Sequence, residues 1–252
     1  MNRFYLVSIC IIFSIVAYAQ TQIDSIPANK SFKNTINLNI SQPIFFGEKN
    51  IILGYERVIN NRQSFSINVG TAAFPDLVSD ERDSTRLIKN NKNGGYNISG
   101  DFRFYLTNIN KVDAPRGVYV GPYISHAHYT DEQEWEIRHA IEPSKTAQTN
   151  SSFNIFSVGA ELGYQFIFWK RLSIDMVLVG PGISHYNLNC KLSGPLLTDE
   201  EKDQIRESFQ QALEENFPGT RFVFKGHEFN NEGTIRTWEL GFRYIVHIGF
   251  RF

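Results

Sequence analysis

Charged and amide side chains recur along the chain at positions that could carry proton-transfer chemistry. They are of mixed sign and comprise Glu56, Asp101, Arg103, Glu161, Gln165, Asp175, Glu239 and Arg243. Carboxylates held beside cations can serve as general acids and bases. If these residues face a closed interior, however, they must pair with one another to remain ionised. We therefore interpret them as a structural ion-pair and hydrogen-bond core, and we assign no catalytic, cofactor-binding or metal-binding residue.

Two histidines suggest a metal site. His126 and His128 are two residues apart, which places both on one face of a strand. His139 follows in a predicted loop together with four carboxylates, Asp131, Glu132, Glu134 and Glu136. Metal capture at an outer rim is one hypothesis. The spacing matches no compact metal signature, however, and a solvated polar loop also explains the acidic run. We therefore expect no bound metal.

Two serine–histidine neighbours raise the hypothesis of a hydrolase acting on lipid. Ser125 precedes His126, and Ser184 precedes His185. Adjacent side chains on a strand point to opposite faces, so neither dipeptide is itself a nucleophile and base pair. The sequence identifies no third group to orient the base. A lipid-modifying enzyme, either an acyl hydrolase or a transferase with a Ser/His site at the rim, is the alternative to a non-enzymatic protein.

The elements that carry these residues alternate apolar and polar side chains with a period of two, which is typical of strands. In the last segment, Trp238, Phe242 and Phe250 share one parity, whereas Glu239 and Arg243 lie on the other. Seven further segments show the same alternation, near residues 36–40, 51–55, 65–69, 96–106, 118–124, 156–166 and 172–178. The sequence therefore predicts eight strands.

The connections between these strands alternate in length. Those at 60–63, 107–116 and 168–171 are short to moderate, and those at 75–95, 129–152 and 184–233 are long and polar. Outer-membrane barrels have short periplasmic turns and long outer loops. The pattern predicts an all-β fold, an eight-stranded antiparallel up-and-down transmembrane β-barrel with long outer loops. A secreted β-sandwich also alternates, and a ten-stranded barrel is left open.

Two prolines conflict with regular strands. Pro122 lies inside a predicted strand, and Pro181 is predicted to end another. Proline cannot donate a hydrogen bond to a strand ladder, so we expect a bulge or a local break at these places.

The longest outer connection contains a predicted helix over 198–216. Thr198 and Glu201 form a capping box, and the sequence Pro-Gly at 218–219 ends the helix. Ile205, Phe209 and Leu213 recur four apart and form a narrow apolar stripe. The stripe either packs across the mouth of the barrel or forms a docking surface.

The first residues are typical of a secretory signal. Asn2 and Arg3 precede an apolar run over 6–16, which is too short to span a bilayer as a helix. The run closes on Ala-Tyr-Ala at 17–19, a pattern that signal peptidase accepts. We predict a removed signal peptide at 1–19, a short periplasmic N-terminal segment at 20–33 and an outer-membrane barrel at 34–252.

Composition narrows the class further. A formal net charge of −1 argues against a nucleic-acid partner. Cys10 lies in the predicted signal, so Cys190 has no intramolecular disulfide partner. Aromatic residues make up 14% of the chain, with 21 Phe and 11 Tyr, and the apolar runs beyond the signal are too short for a transmembrane helix. These aromatics are therefore expected on strands.

Several strand segments carry a family resemblance. The segments are 117–123, 159–165, 170–175 and 180–182, the last of which reads Gly-Pro-Gly. With them the chain resembles the small outer-membrane β-barrel proteins of Bacteroidota. The resemblance implies a fold and a location in the cell outer membrane, with membrane lipid as a partner, and it implies no cofactor or chemistry.

The C-terminal strand adds a partner. Phe252, in register with Phe250 and Ile248, is similar to the C-terminal signal by which outer-membrane proteins are recognised by their assembly machinery. We expect a non-enzymatic protein with a side-chain-filled lumen and a structural, binding or adhesive role through its outer loops. An extracellular ligand or protein partner at those loops is left open.

Overall fold

The computed structural model describes residues 32–74, 85–137, 144–194, 197–216, 220–224, 229–230 and 233–252. The predicted signal peptide, and the predicted periplasmic segment up to residue 31, lie outside these residues. No helix within the described ranges combines the length and the apolar character needed to cross a membrane.

Within the described residues, eight antiparallel strands form a closed barrel in chain order, and the last strand pairs with the first. The strands are β1 Asn34–Asn39, β2 Ile52–Asn60, β3 Gln63–Thr71, β4 Thr85–Tyr105, β5 Gly117–Ile137, β6 Lys145–Phe168, β7 Leu172–Ser193 and β8 Thr234–Arg251. The predicted all-β, eight-stranded fold class is confirmed.

Among the residues that the structure describes, helices occupy three of the connections. They are α1 Ser41–Phe46, α2 Thr107–Asn110, α3 Asp199–Asn216 and α4 Thr220–Phe224. The longest, α3, occupies the stretch for which the capping box and the apolar stripe predict a helix. It lies with α4 in the connection between β7 and β8.

The strands are strongly staggered around the barrel. If paired residues are followed from strand to strand around the barrel, the path that starts at Leu38 on β1 arrives at Trp238 on β8. Across the seam where the barrel closes, however, Leu38 pairs with Ile248 of β8. The offset between residues 238 and 248 is ten. A barrel of eight tilted, staggered strands has an interior just wide enough for side chains to fill.

The predicted bounds of the long loops are wrong. β4 begins at Thr85, β5 continues to Ile137 and β7 continues to Ser193, all inside stretches predicted as loop. The outward side chains of the β5 and β7 extensions are polar, among them Glu132, Glu134, Asn187 and Lys191. The apolar outward parity that identifies a strand in the sequence therefore stops before these strands end. The last connection, from residue 194 to 233, is still long and carries both α3 and α4.

The two prolines are accommodated inside strands. Pro122 pairs with Ala160 of β6, while the ladder with β4 is interrupted opposite Phe102. Pro181 lies within β7 rather than at its end, which corrects the prediction. The expected irregularity is confirmed there, as a bulge between Val177 and Gly180.

The barrel has two sections that differ in which face is apolar. On β6, outward side chains are apolar from Phe156 to Phe168 and polar from Thr146 to Asn154. Inward side chains change in the opposite sense, from Glu161 and Gln165 to Phe153 and Ala147. The row of paired residues His126–Phe156–His185 divides the two sections. We call the section between this row and the β2–β3, β4–β5 and β6–β7 connections the lower barrel. The section on the other side of the row is the upper barrel.

Candidate functional site

Charged side chains converge inside the lower barrel. Arg103 Nη2 lies 3.0 Å from Asp175 Oδ2 and 3.1 Å from Asp101 Oδ1. Arg103 Nη1 lies 3.5 Å from Glu56 Oε1. A second guanidinium, that of Arg243, has Nη1 3.5 Å from Glu161 Oε2. We call this set the charge cluster: Glu56, Asp101, Arg103, Glu161, Asp175 and Arg243.

Strand register brings the members of the charge cluster together. Glu56 on β2 pairs with Ser66 on β3, which pairs with Asp101 on β4. Side chains of paired residues point to the same face, so both carboxylates enter the interior at one level. Arg103 follows Asp101 by two residues and therefore faces the same way.

Glycines on neighbouring strands make room for large interior side chains. The Tyr119 ring occupies the space beside Gly163, where an added Cβ would lie 2.3 Å from Tyr119 Cζ. The Tyr123 hydroxyl lies in the same way over Gly182, 2.5 Å from where a Cβ would be. A larger residue at either glycine would displace a tyrosine from the interior.

Tyrosine and glutamine side chains donate hydrogen bonds to two of the carboxylates, those of Asp175 and Glu56. Tyr119 Oη donates to Asp175 Oδ1 over 2.8 Å, and Tyr105 Oη donates to Glu56 Oε1 over 3.0 Å. Gln165 Nε2 donates to Glu56 Oε2 over 2.8 Å. The Arg103 guanidinium also lies 4.6 Å from the centroid of the Tyr119 ring, which is within cation–π distance.

This arrangement suits structure better than catalysis. Arg103, Gln165 and Asp175 are fully buried, so each is held by its neighbours rather than open to a substrate. A buried charge is costly unless it is paired, and each carboxylate of the charge cluster lies within 4.0 Å of a guanidinium nitrogen of Arg103 or Arg243. The charge cluster therefore fills the lumen and cross-links the barrel wall.

Seven of the eight residues predicted for the interior core meet in or beside the charge cluster. The exception is Glu239, which is half-buried and accepts a hydrogen bond from Thr237 Oγ1 over 3.2 Å. Sequence reasoning missed Tyr105, Tyr119 and His247, whose Nδ1 lies 3.2 Å from Asp175 Oδ2. The sequence pattern could have identified two of them. Tyr119 and His247 lie at positions of the polar parity of their strands, which is the parity that faces the interior.

The interior of the upper barrel is largely apolar, although the polar side chains of Asp131, Gln133, Thr149 and Ser151 are also buried there. Ile205, Phe209 and Leu213 of α3 are all fully buried. We call the set that they join the apolar plug; its strand members include Ala127, Tyr129, Trp135, Ile137, Ala147, Phe153, Leu188, Cys190 and Ile235. The stripe of α3 therefore packs inside the mouth, as one of the two interpretations of the sequence predicts, and is not left free for a partner.

The start of α3 is fixed by its capping box and by a link to β6. The Thr198 amide donates to Glu201 Oε2 over 2.7 Å, and the Glu201 amide donates to Thr198 Oγ1 over 3.2 Å. Lys145 Nζ lies 2.7 Å from Glu201 Oε1. Hydrogen bonds from Lys145 and Thr198 lower the pKa of Glu201 from 4.5 to about 2.

Comparisons with known proteins find likeness in structure and none in sequence. No family model matches the chain, and no curated protein matches it. A solved structure, a major outer membrane protein from Thermus thermophilus, is similar at 12% identity and a TM-score of 0.36, over 87% of this chain and 99% of that chain. The fold assignment rests on the strand pairing instead, and the resemblance to Bacteroidota proteins stays a prediction.

The two histidines of β5 lie on one face of the strand, as the sequence predicts, and the structure shows that this is the outer face. Both rings contact Tyr96, with centroids 5.7 Å away for His126 and 5.4 Å away for His128. His128 Nδ1 is 2.7 Å from Asn154 Oδ1. Within the described residues, no group of three or more His, Cys, Asp or Glu side chains is arranged to hold a metal.

The acidic run after these histidines is not a loop. Asp131, Glu132, Glu134 and Glu136 all lie on β5, so the predicted loop is wrong there. The run alternates in facing: Asp131 points inward and is buried, whereas the three glutamates point outward. His139 lies outside the described residues.

The serine–histidine neighbours face opposite ways, which confirms that prediction. Ser184 points inward, with its Oγ 2.7 Å from Ser157 Oγ. His185 points outward against Trp238, with ring centroids 4.8 Å apart. Ser125 and His126 divide in the same way along β5. The structure thus pairs Ser184 with a serine instead of a base.

Proposed function

We propose that the chain is a non-enzymatic outer-membrane protein whose lower barrel crosses the bilayer and whose upper barrel projects from the cell surface. The observation that carries this proposal is the apolar outer face of the lower barrel. Leu240 is 73% exposed and Phe242 63%. The other strands contribute exposed apolar side chains too, among them Ile36, Leu53, Val69, Ile98, Ile124, Val158 and Ile183.

Such a belt is unfavourable in water and favourable in lipid. Soluble monomers rarely expose contiguous apolar surface of this extent. A closed barrel satisfies every backbone hydrogen bond within the wall, and it is the form in which strands can cross a bilayer. Aromatic side chains at both edges of the belt, Trp169 and Phe250 below and Tyr96 and Trp238 above, support this placement.

The two interiors support a closed lumen. The charge cluster fills the lower barrel, and the apolar plug fills the upper barrel above it. We therefore propose that the protein forms no diffusive pore and acts as a structural or binding element through its outer end. Because Ser184 and His185 face apart, no observation on the described residues favours the lipid-modifying alternative.

The test is insertion followed by conductance. The chain from Gln20 onward, refolded into phosphatidylcholine vesicles, should give a heat-modifiable band on gels and protect its barrel from protease. Planar bilayers containing it should show no large steady conductance. A chain that is monomeric and soluble without detergent would contradict the membrane proposal, and porin-like current steps would contradict the closed lumen.

The assembly machinery is the proposed partner in the cell. Phe252 is exposed at the end of β8, and its backbone closes the barrel by pairing with Asn34, with N···O distances of 2.9 and 3.2 Å. The C-terminal strand thus combines the terminal aromatic signal with the closing seam. Replacing Phe252 should slow assembly in cells while leaving refolding in detergent intact.

A further inference from the structure

Basic side chains surround the short-turn end of the barrel. This end comprises the β2–β3, β4–β5 and β6–β7 connections, the start of β1 and the end of β8. Its exposed basic residues are Lys33, Arg57, Arg62, Lys111, Lys170 and Arg171. Among the described residues at this end, the one exposed acidic side chain is that of Asp113. The short-turn end therefore carries a clear positive charge.

The loop end carries charges of both signs. Glu132, Glu134 and Glu136 point outward from β5, and α3 begins with three further acidic residues. Acidic and basic residues are mixed there, with Lys92 3.6 Å from Glu132 as one ion pair. The positive charge of the short-turn end is thus a local feature and does not reflect the composition of the whole chain, whose net charge is −1.

One sector of the short-turn end combines its cations with aromatic rings. The guanidinium carbon of Arg171 lies 4.6 Å from the centroid of the Phe32 ring and 5.4 Å from that of the Phe250 ring. Trp169, two residues earlier, is 82% exposed. Phe250 belongs to the apolar belt, so Arg171 stands at the level where the belt ends.

The β6–β7 turn places two large side chains at backbone positions with positive φ angles. Trp169 and Lys170 have φ angles of 46° and 64°, a region that favours glycine and asparagine. The turn nevertheless presents an exposed indole and an exposed ammonium group side by side. Both side chains lie where a bilayer would pass from acyl chains to headgroups.

Hydrogen bonds bring further basic residues of neighbouring strands close to this turn. Arg57 on β2 donates a hydrogen bond to Asn34 on β1, and the Arg251 amide on β8 donates to the Arg171 carbonyl over 2.7 Å. These contacts place the ends of β2, β1, β8 and β7 side by side. We call the group formed by Lys33, Arg57, Trp169, Lys170 and Arg171 the basic–aromatic sector.

We propose that the basic–aromatic sector binds the phosphate headgroups of anionic phospholipids in the periplasmic leaflet. This inference rests on the proposed function, since it needs the belt to lie in a bilayer. Guanidinium groups bind phosphate oxygens through paired, charge-assisted hydrogen bonds. Cations near an anionic surface add attraction that salt weakens, and exposed tryptophan favours the interface.

Trp169 provides a direct readout. In a Trp238→Phe background, Trp169 is the tryptophan expected to contact lipid, because Trp135 is fully buried in the apolar plug. The protein is reconstituted into phosphatidylcholine vesicles that contain either brominated phosphatidylglycerol or brominated phosphatidylcholine, and fluorescence quenching by the bromine is compared. We expect phosphatidylglycerol to bind about fivefold or more tightly at Trp169, and high salt to reduce the preference.

Paired variants locate the preference. Lys170→Gln combined with Arg171→Gln should bring the two lipids to nearly equal quenching. Arg62→Gln combined with Lys111→Gln removes the same charge from the connections outside the sector, and it should leave the preference intact. A preference that survives the first pair would overturn the inference.

The same experiment separates this inference from the proposed function. Equal quenching by both lipids in a heat-modifiable, inserted barrel would overturn the inference, leave the membrane proposal standing and favour an acidic protein as the partner of the sector. If neither brominated lipid quenches Trp169 and no heat-modifiable band forms, the membrane proposal itself fails.

Discussion

The lower and the upper barrel use the same strands with opposite sidedness. Along β6, Val158 points outward and is 49% exposed, while Glu161 points inward and is buried. Farther along the same strand, Asn150 points outward and Phe153 points inward. Inward and outward side chains alternate without a break through both stretches. The alternation therefore defines the strand, and the surroundings of each stretch determine which of its two faces is apolar.

If the barrel lies in the membrane as proposed, the difference follows from what each surrounding medium requires of a barrel. In lipid, the wall turns apolar side chains outward, and polar groups can be satisfied only inside, where they form the charge cluster. In the proposed placement, β4 to β8 continue beyond the bilayer as a sheet in water, so their apolar side chains turn inward and need a cover. The stripe of α3 supplies that cover, which explains a helix in the longest connection.

The largest effect should come from the charge cluster. Arg103→Met leaves Glu56, Asp101 and Asp175 buried beside one another without their shared cation. Removing one partner of a buried ion pair costs about 3–5 kcal/mol, so we expect failure of assembly or a large drop in urea stability of the refolded barrel. Arg236→Met, at an exposed outward position on β8, is the matched control and should change little. Equal stability of the two variants would contradict the structural role of the charge cluster.

A loss of similar size, confined to the upper barrel, should come from the apolar plug. Phe209→Ala removes a fully buried ring, and such changes cost about 3–5 kcal/mol when the site cannot collapse. Because α3 covers only the upper barrel, we expect faster proteolysis of that section while the heat-modifiable barrel persists. Gln204→Ala, on the exposed face of the same helix, should leave proteolysis unchanged. Loss of the entire barrel would show that the two sections are not separable.

A matched pair on β6 compares the two outer faces directly. Val158→Arg places a cation in the apolar belt, at a cost of up to about 2–4 kcal/mol at the bilayer midplane. Asn150→Arg places the same cation on the outer face of the upper barrel, where we expect a change within about 0.5 kcal/mol. Urea titration of both variants in vesicles measures the difference. Equal costs would mean that the belt does not lie in lipid.

Sequence reasoning recovered the lower barrel more completely than the upper. The apolar parity of residues 156–166 marks a strand without ambiguity, and its polar parity names Glu161 and Gln165 as interior residues. In the upper barrel the outward residues are polar, and inward residues such as Ala147 and Ser151 are small, so alternation is weak. The register between neighbouring strands also decides which side chains meet in the interior, and a single sequence does not predict this register.

The smallest effect concerns the link between α3 and β6. Because the pKa of Glu201 is lowered from 4.5 to about 2, the folded protein binds fewer protons at this group than the unfolded chain between those values. Its contribution is therefore complete above pH 4.5 and is lost as the pH falls towards 2. We expect proteolysis of the upper barrel to increase over that range, and Glu201→Gln to flatten this dependence.

Lys145→Met separates the ion pair from the capping box. It removes the 2.7 Å contact to Glu201 and leaves the backbone hydrogen bonds of Thr198 and Glu201 in place. It should therefore weaken the pH dependence while retaining the helix, as judged by circular dichroism. If the variant keeps the full pH dependence, the acid sensitivity arises elsewhere, and the charge cluster of the lower barrel becomes the group to examine, because it holds four buried carboxylates.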